Sequence, residues 1–232
     1  MTKEKSGKNV RELTLDILYE ILEEGAFSHV VLSQALSKYQ YLEKSDRAFI
    51  TRVTVGTLEY LIQIDFVLDQ FSKTKTEKMK PLIRTLLRMS VYQILYMDHI
   101  PDSAVCNEAV KLAEKRRFQG LKGFVNGVLR TISREKENLT FSDDSIAFSM
   151  PPWILSLWKE TYDQSVIRKM LTWFLSEKPM MVRLNTSLAK KEDIIKSLKD
   201  QEVLVKESPF LDTVLWLEGF DHIESLLAFQ KG

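Results

Sequence analysis

The stretch "GLKGFVNGVLR", Gly120–Arg130, decides how the chain is read. Its apolar residues recur at helical spacing, yet it holds three glycines and an asparagine, residues that weaken a helix by up to about 1 kcal/mol each relative to alanine. On a wheel of about 100° per residue, Leu121, Phe124, Val125, Val128, Leu129 and Ile132 fill one continuous arc, the core face. Lys122, Asn126, Arg130 and Arg134 lie opposite, and Gly120, Gly123 and Gly127 close the circle beside the arginines. Two uses of that bare stripe stand open. A phosphate-ribose strand could approach the exposed backbone, with Asn126 reading a base or a ribose hydroxyl. Alternatively, the glycines let another helix pack tightly while Asn126 bridges backbone groups.

Charge extends the pattern outward. The 232 residues carry a net charge of +1, but residues 1–140 sum to +4 and residues 141–232 to −3. Residues 111–134 alone reach +6, through Lys111, Lys115, Arg116, Arg117, Lys122, Arg130 and Arg134 against Glu114. A second window, residues 73–88, reaches +5. Local basic clusters of this kind suit a polyanion partner. Cys106 is the single cysteine and the three histidines are scattered, which excludes an internal disulfide and the common zinc ligand sets; no metal site is expected. No apolar run is long enough to span a bilayer and no apolar signal core follows the N-terminal lysines, so a cytoplasmic protein is expected, without membrane partners.

Up to about residue 135 the periodicity is helical throughout. Val10–Glu24 carries one apolar stripe and stops at Gly25; Ser28 is placed to cap a short helix, and Ser45 or Asp46 the next, with a break expected near Gly56. Pro81 suits a first helical turn, and Pro101–Asp102 opens the helix that precedes the quoted one. "MPPW", from Met150, introduces two more helices; from Lys178 the period changes to β-α-β-β-α. A split β-α-β fold closes with one further strand, so this small sheet reads as incomplete. Trp153, Trp158, Trp173 and Trp216 have apolar neighbours at helical or strand spacing and are read as core.

The residues Asn107, Glu108, Ala109, Val110, Leu112 and Ala113, followed by Phe124, Val125, Asn126, Gly127, Val128 and Leu129, form two motifs in fixed order. With them the chain resembles the NusB-like domain, an all-helical RNA-binding module found in the transcription antitermination factor and at the front of a ribosomal RNA methyltransferase family. The antitermination factor has an acidic residue where this chain has Arg130, and would end near residue 138. The continuation here, with Pro152–Trp153 and Arg183-x-Asn185, is similar to the middle region of the Sun-like (RsmB-type) S-adenosylmethionine-dependent 5-methylcytosine methyltransferases of small-subunit ribosomal RNA. That family's catalytic domain holds the cofactor in a Gly-rich loop and uses two cysteines on cytosine. Neither a Gly-rich cofactor loop nor a second cysteine is present, and Cys106 falls on the apolar arc of its helix, as a buried small residue would.

The resemblance implies a mainly α fold: a NusB-like bundle over residues 1–138, a helical connector over 139–177 and a partial RRM-like unit over 178–232. It implies the RNA-binding front part of a small-subunit rRNA cytosine-C5 methyltransferase, with a catalytic domain following Gly232 and S-adenosylmethionine as the cofactor of the full-length protein. No catalytic or cofactor-binding residue is expected in this chain. An antitermination adaptor binding RNA and a partner protein is the alternative. The residues expected to meet RNA are Lys115, Arg116, Arg117, Lys122, Asn126, Arg130, Arg134 and Arg11, with Lys3, Lys5 and Lys8 as a basic arm. Arg183 and Asn185 share the face of a strand opposite Val182 and Leu184, and serve either RNA or the interface with the catalytic domain.

Overall fold

The structure is a computed structural model that describes residues 9–176, 178–220 and 223–231. Lys3, Lys5 and Lys8 lie outside the described residues. Two compact units divide between Leu175 and Ser176.

The first unit is helical: α1 (Val10–Leu22), α2 (Ser28–Lys38), α3 (Lys44–Glu59), α4 (Leu61–Phe71), α5 (Pro81–Tyr96), α6 (Asp102–Lys115), α7 (Lys122–Glu135), α8 (Asp144–Ala147), α9 (Pro152–Lys159) and α10 (Gln164–Leu175). The longer helices are amphipathic, and α5 is the one around which five of the others close. It packs on α1, α3, α4, α6 and α7, and Ile83, Leu86, Leu87, Met89, Val91 and Ile94 are all buried. Pro81 occupies its first turn, where a missing N–H costs no hydrogen bond. Asn9 caps α1 by accepting from the Arg11 N–H at 3.0 Å, and Gly25 follows α1 with a φ of +76° that favours glycine. A second cluster, Leu13, Ile17, Val31 and Ile50, joins α1 to α2 and α3.

Three local expectations are corrected. Phe27 and Glu43, not Ser28 and Ser45 or Asp46, stand at the N-caps of α2 and α3, and neither cap side chain bonds the helix. The chain turns at Tyr60, not near Gly56: α3 runs through the glycine because Tyr92 lies against its bare backbone, so Gly56 serves packing and not a break. Trp153 and Trp173 are 67% and 53% exposed, not core. The α9–α10 pair is thin, with a core of Leu155, Ile167 and Leu171, so only one side of each helix has anything to pack against. These helices cluster with the first unit, where Gln63 Nε2 donates to the carbonyls of Ile146 and Ala147, tying α4 to α8.

The second unit contains β1 (Met180–Arg183), α11 (Lys191–Lys199), β2 (Leu204–Glu207), β3 (Val214–Glu218) and α12 (Leu227–Gln230), the expected β-α-β-β-α order. Its antiparallel sheet has the order β1-β3-β2. Alternation sends Leu215 and Leu217 to a core shared with Leu184, Leu198, Val203 and Leu226. The same alternation places Met181, Trp216 and Lys206 in one row across the other face, with Arg183 opposite Val214.

Candidate nucleic-acid interface

Val125, Val128, Leu129 and Ile132 fix α7 in the first unit's core, which turns its opposite side outward. A Cβ added at Gly120, Gly123 or Gly127 would meet nothing within 4 Å, so among the described residues no helix packs on this stripe. The glycines do not serve helix packing here. Along the stripe runs a polar ladder. Thr131 Oγ1 donates to the Gly127 carbonyl at 2.9 Å, Arg134 Nη2 to Thr131 Oγ1 at 3.4 Å, and Arg130 Nε to Asn126 Oδ1 at 2.9 Å. Asn126 thus holds Arg130 through Nε while the residue stays exposed, which leaves the terminal nitrogens of a guanidinium fork available to phosphate oxygens.

The other expected cations divide into two groups. Arg11 and Arg116 do not join this face. Arg11 Nε donates to Gln93 Oε1 at 3.2 Å and its guanidinium lies 5.1 Å from the centre of the Phe49 ring. Arg116 bonds Asp16 and lies 3.5 Å from Glu12, whose side chain is buried. Both residues therefore anchor α1 to its neighbours. Lys115 and Lys122 keep exposed side chains while pairing with Glu12 at 2.5 Å and Glu114 at 2.8 Å; the Glu114 bond pushes the Lys122 ammonium further up. The Lys122–Glu114 pair, exposed on both sides, is worth little and exchanges readily for another anion, whereas Lys115 is held by a buried carboxylate.

Arg117 is exposed and has a φ of 66°, the left-handed conformation that glycine normally supplies at a helix end. The Phe118 N–H closes that end on the Ala113 carbonyl at 2.8 Å. A costly backbone position thus carries an arginine just before the glycine-bearing segment.

Sequence reasoning missed the internal use of the second basic window. Arg84 and Arg88 both reach Glu23, and Arg88 also binds Asp65 at 2.6 Å. No local signal could have revealed this, because Glu23 and Arg84 are 61 residues apart. Cys106 is 1% exposed; burial pushes its thiol up, while the Arg130 charge pulls it back and Asp102 adds to the rise. That is the reverse of an activated nucleophile. In the second unit Arg183 and Asn185 are exposed and contribute to the rim of an apolar cavity lined by Val182, Leu184, Leu217 and Leu226. Asn185 Oδ1 accepts from Ser187 Oγ at 2.6 Å. Among the described residues no helix is long and apolar enough to cross a membrane.

A helical bundle built around α5, with a glycine- and arginine-bearing α7 turned outward, defines the class of protein: a NusB-type all-helical domain followed by a small α/β unit. The chain belongs to the NusB family, whose profile matches residues 8–134. A second profile, the ferredoxin-like domain of RsmF/B-like methyltransferases, matches residues 150–224. The probable ribosomal RNA small subunit methyltransferase B of Bacillus subtilis (strain 168) is 30% identical over 218 residues, covering 91% of this chain and 48% of its own length. The chain spans about half the length of the curated relatives of this name that it matches.

Among solved structures, PH0851 is similar at a TM-score of 0.68 and 18% identity, over 97% of this chain and 52% of its own. Antitermination factors NusB and NusE in complex with double-stranded RNA match at a TM-score of 0.50 and 18% identity, over 54% of this chain and 93% of that chain. At these identities the likeness is one of fold.

Proposed function

We propose that this chain is the RNA-engaging part of an S-adenosylmethionine-dependent small-subunit ribosomal RNA cytosine-C5 methyltransferase, acting in the cytoplasm to capture and position ribosomal RNA for a methyltransferase domain in the same protein. The observation that carries the proposal is the α7 face, where glycines open to solvent run beside Arg130 and Arg134, neither of which meets a carboxylate among the described residues. A phosphate can approach the backbone there without a side chain in the way, between two guanidinium groups, one of them held by Asn126. Lys115, Arg117 and Lys122 extend the field that draws RNA in. The NusB fold found with NusE on double-stranded RNA supports an RNA partner, and the match of residues 150–224 supports the methyltransferase reading over an antitermination adaptor. Arg183, exposed on the sheet face opposite the core with Lys206 and the half-buried Trp216, is proposed as a further RNA contact in the second unit.

S-adenosylmethionine supplies the methyl group in such enzymes, but the residues present do not fit it. β1 is followed by residues 185–190, "NTSLAK", with no glycine to let a cofactor approach the backbone, and Cys106 is buried. No step of methyl transfer is assigned to this chain.

Replacing Arg130 and Arg134 together by glutamate should weaken binding of a small-subunit rRNA hairpin at least about tenfold near 0.1 M salt and flatten the salt dependence by about 1.5–2 in log–log slope. Gel-shift titration across a salt series measures both; an unchanged affinity and slope removes this face from the proposal. The glycines give a test with opposite signs. Gly123→Ala with Gly127→Ala should stabilise the first unit by about 1–2 kcal/mol, since each Cβ enters open space, while weakening the RNA complex by crowding the approach. If the double variant binds RNA as tightly as the parent, the stripe has no part in recognition.

A further inference from the structure

After Arg84 and Arg88 are assigned to Glu23 and Asp65, the second basic window still contains Lys73, Lys75, Lys78 and Lys80, all exposed, in the nine-residue loop between α4 and α5. The loop is built. Its Thr76 and Met79 side chains are buried, Met79 in the main core. The Thr76 N–H donates to Asp69 Oδ1 at 2.7 Å, Ser72 Oγ donates to the Thr74 carbonyl at 2.8 Å, and Arg84 Nη1 donates to the Thr76 carbonyl at 3.3 Å. A single 3-10 turn, Thr76–Lys78, links the two buried anchors. With Thr76 and Met79 turned inward, the lysines are left outward on a fixed backbone, so little loop entropy is lost when an anion binds.

The charge is not neutralised locally. Lys75 Nζ donates to a backbone carbonyl, that of Asp69, at 2.8 Å; the one carboxylate within the loop is Glu77, and Asp69 stands in α4. The Asp69 carboxylate is engaged by the Thr76 N–H. Among the described residues Lys73, Lys78 and Lys80 meet no carboxylate, whereas Lys111, Lys115, Lys122 and Lys136 each pair with one. A group of exposed lysines on an anchored loop fits an extended polyanion, and lysine, a point charge without a planar fork, suits contact with phosphate without reading bases.

We infer that the Lys73–Lys80 loop is a second seat for the phosphate backbone of RNA, separate from the α7 face and neutral to sequence. This rests on the reading that the chain binds RNA, and its test is arranged so that the two can fail apart. The whole chain is titrated with a small-subunit rRNA hairpin across a salt series as three proteins: the parent, the α7 variant Arg130→Glu/Arg134→Glu, and a loop variant Lys73→Gln/Lys78→Gln/Lys80→Gln. The loop variant keeps both buried anchors and Lys75, and thermal unfolding confirms that it folds. Its log–log salt slope should fall by about 2, as expected for three lost phosphate contacts at about 0.7–0.9 each, with affinity down roughly tenfold near 0.1 M salt. The loss should be equal on hairpins of shuffled sequence. If the loop variant matches the parent while the α7 variant is weakened, this inference is overturned and the RNA reading stands. If the parent itself does not bind RNA, the reading falls and the inference with it.

Discussion

Replacing Glu23 by alanine is expected to lower the stability of the first unit by about 2–4 kcal/mol, and its melting temperature by roughly 5–15 °C. The Glu23 side chain is 6% exposed and sits between two arginines that are themselves 19% and 12% exposed. Arg84 Nε donates to Glu23 Oε1 at 3.0 Å and Thr85 Oγ1 donates to the same oxygen at 3.0 Å, while Arg88 Nη1 lies 3.6 Å from it. Removing the carboxylate leaves Arg84 short of its main acceptor in a place where water cannot fully replace it, and that desolvation cost drives the effect. Glu23→Gln, which keeps an acceptor but not the charge, should lose less. Urea unfolding of the three proteins settles the matter: a midpoint unchanged in the alanine variant would mean that the pair only decorates the surface.

The second large effect concerns Gly56. A Cβ built there would lie 2.0 Å from Tyr92 Cζ and 2.2 Å from its hydroxyl oxygen, distances that no side chain tolerates. Tyr92 has little room to yield. It is 2% exposed, its hydroxyl accepts from Arg52 Nε at 3.1 Å, and its ring centre lies 5.4 Å from that of Tyr96, which in turn stacks on Tyr60 at 4.1 Å. Alanine would raise the helix propensity of α3 by about 1 kcal/mol and still destabilise the unit by about 2–3 kcal/mol net, through overpacking. Tyr92→Leu in the same chain should recover part of the loss. The comparison with Gly127→Ala, where the identical change is expected to stabilise, makes the sign the decisive readout; a stabilised Gly56→Ala protein would refute the packing account.

These two positions mark where the sequence ceases to inform. The core face of α7 was legible because periodicity is a local property, and so were the Pro81 start of α5 and the β-α-β-β-α order. The function of a glycine is not local. Gly56 and Gly127 look alike in a helical pattern, and only the ring of Tyr92, distant in sequence, separates a glycine that admits a neighbour from one that faces solvent. The basic windows behaved likewise. A charge count cannot tell that Arg116 faces Glu12 and Asp16, about a hundred residues away, or that the lysines of the α4–α5 loop stand exposed around two buried anchors. The candidate interface therefore came out narrower on one side and wider on another than the charge distribution implies.

The contacts of α1 also set a timetable. Asn9, Arg11, Glu12, Asp16 and Glu23 find their partners in Glu108, Gln93, Lys115, Arg116 and Arg84, at separations of 99, 82, 103, 100 and 61 residues. For a helical bundle these are distant pairings, and such contacts slow folding because loops must close before anything is gained. During synthesis the first helix is made long before its counter-charges: at about 5–20 residues per second, Glu12 waits roughly 5–20 s for Lys115 and Arg116. Through that interval α1 can already pack on α2, α3 and α5, but its charged side chains stand without these partners. The Glu12 and Asp16 contacts of α1 can therefore close only after α6 has cleared the ribosome, so a helix made before its partners is among the last to settle.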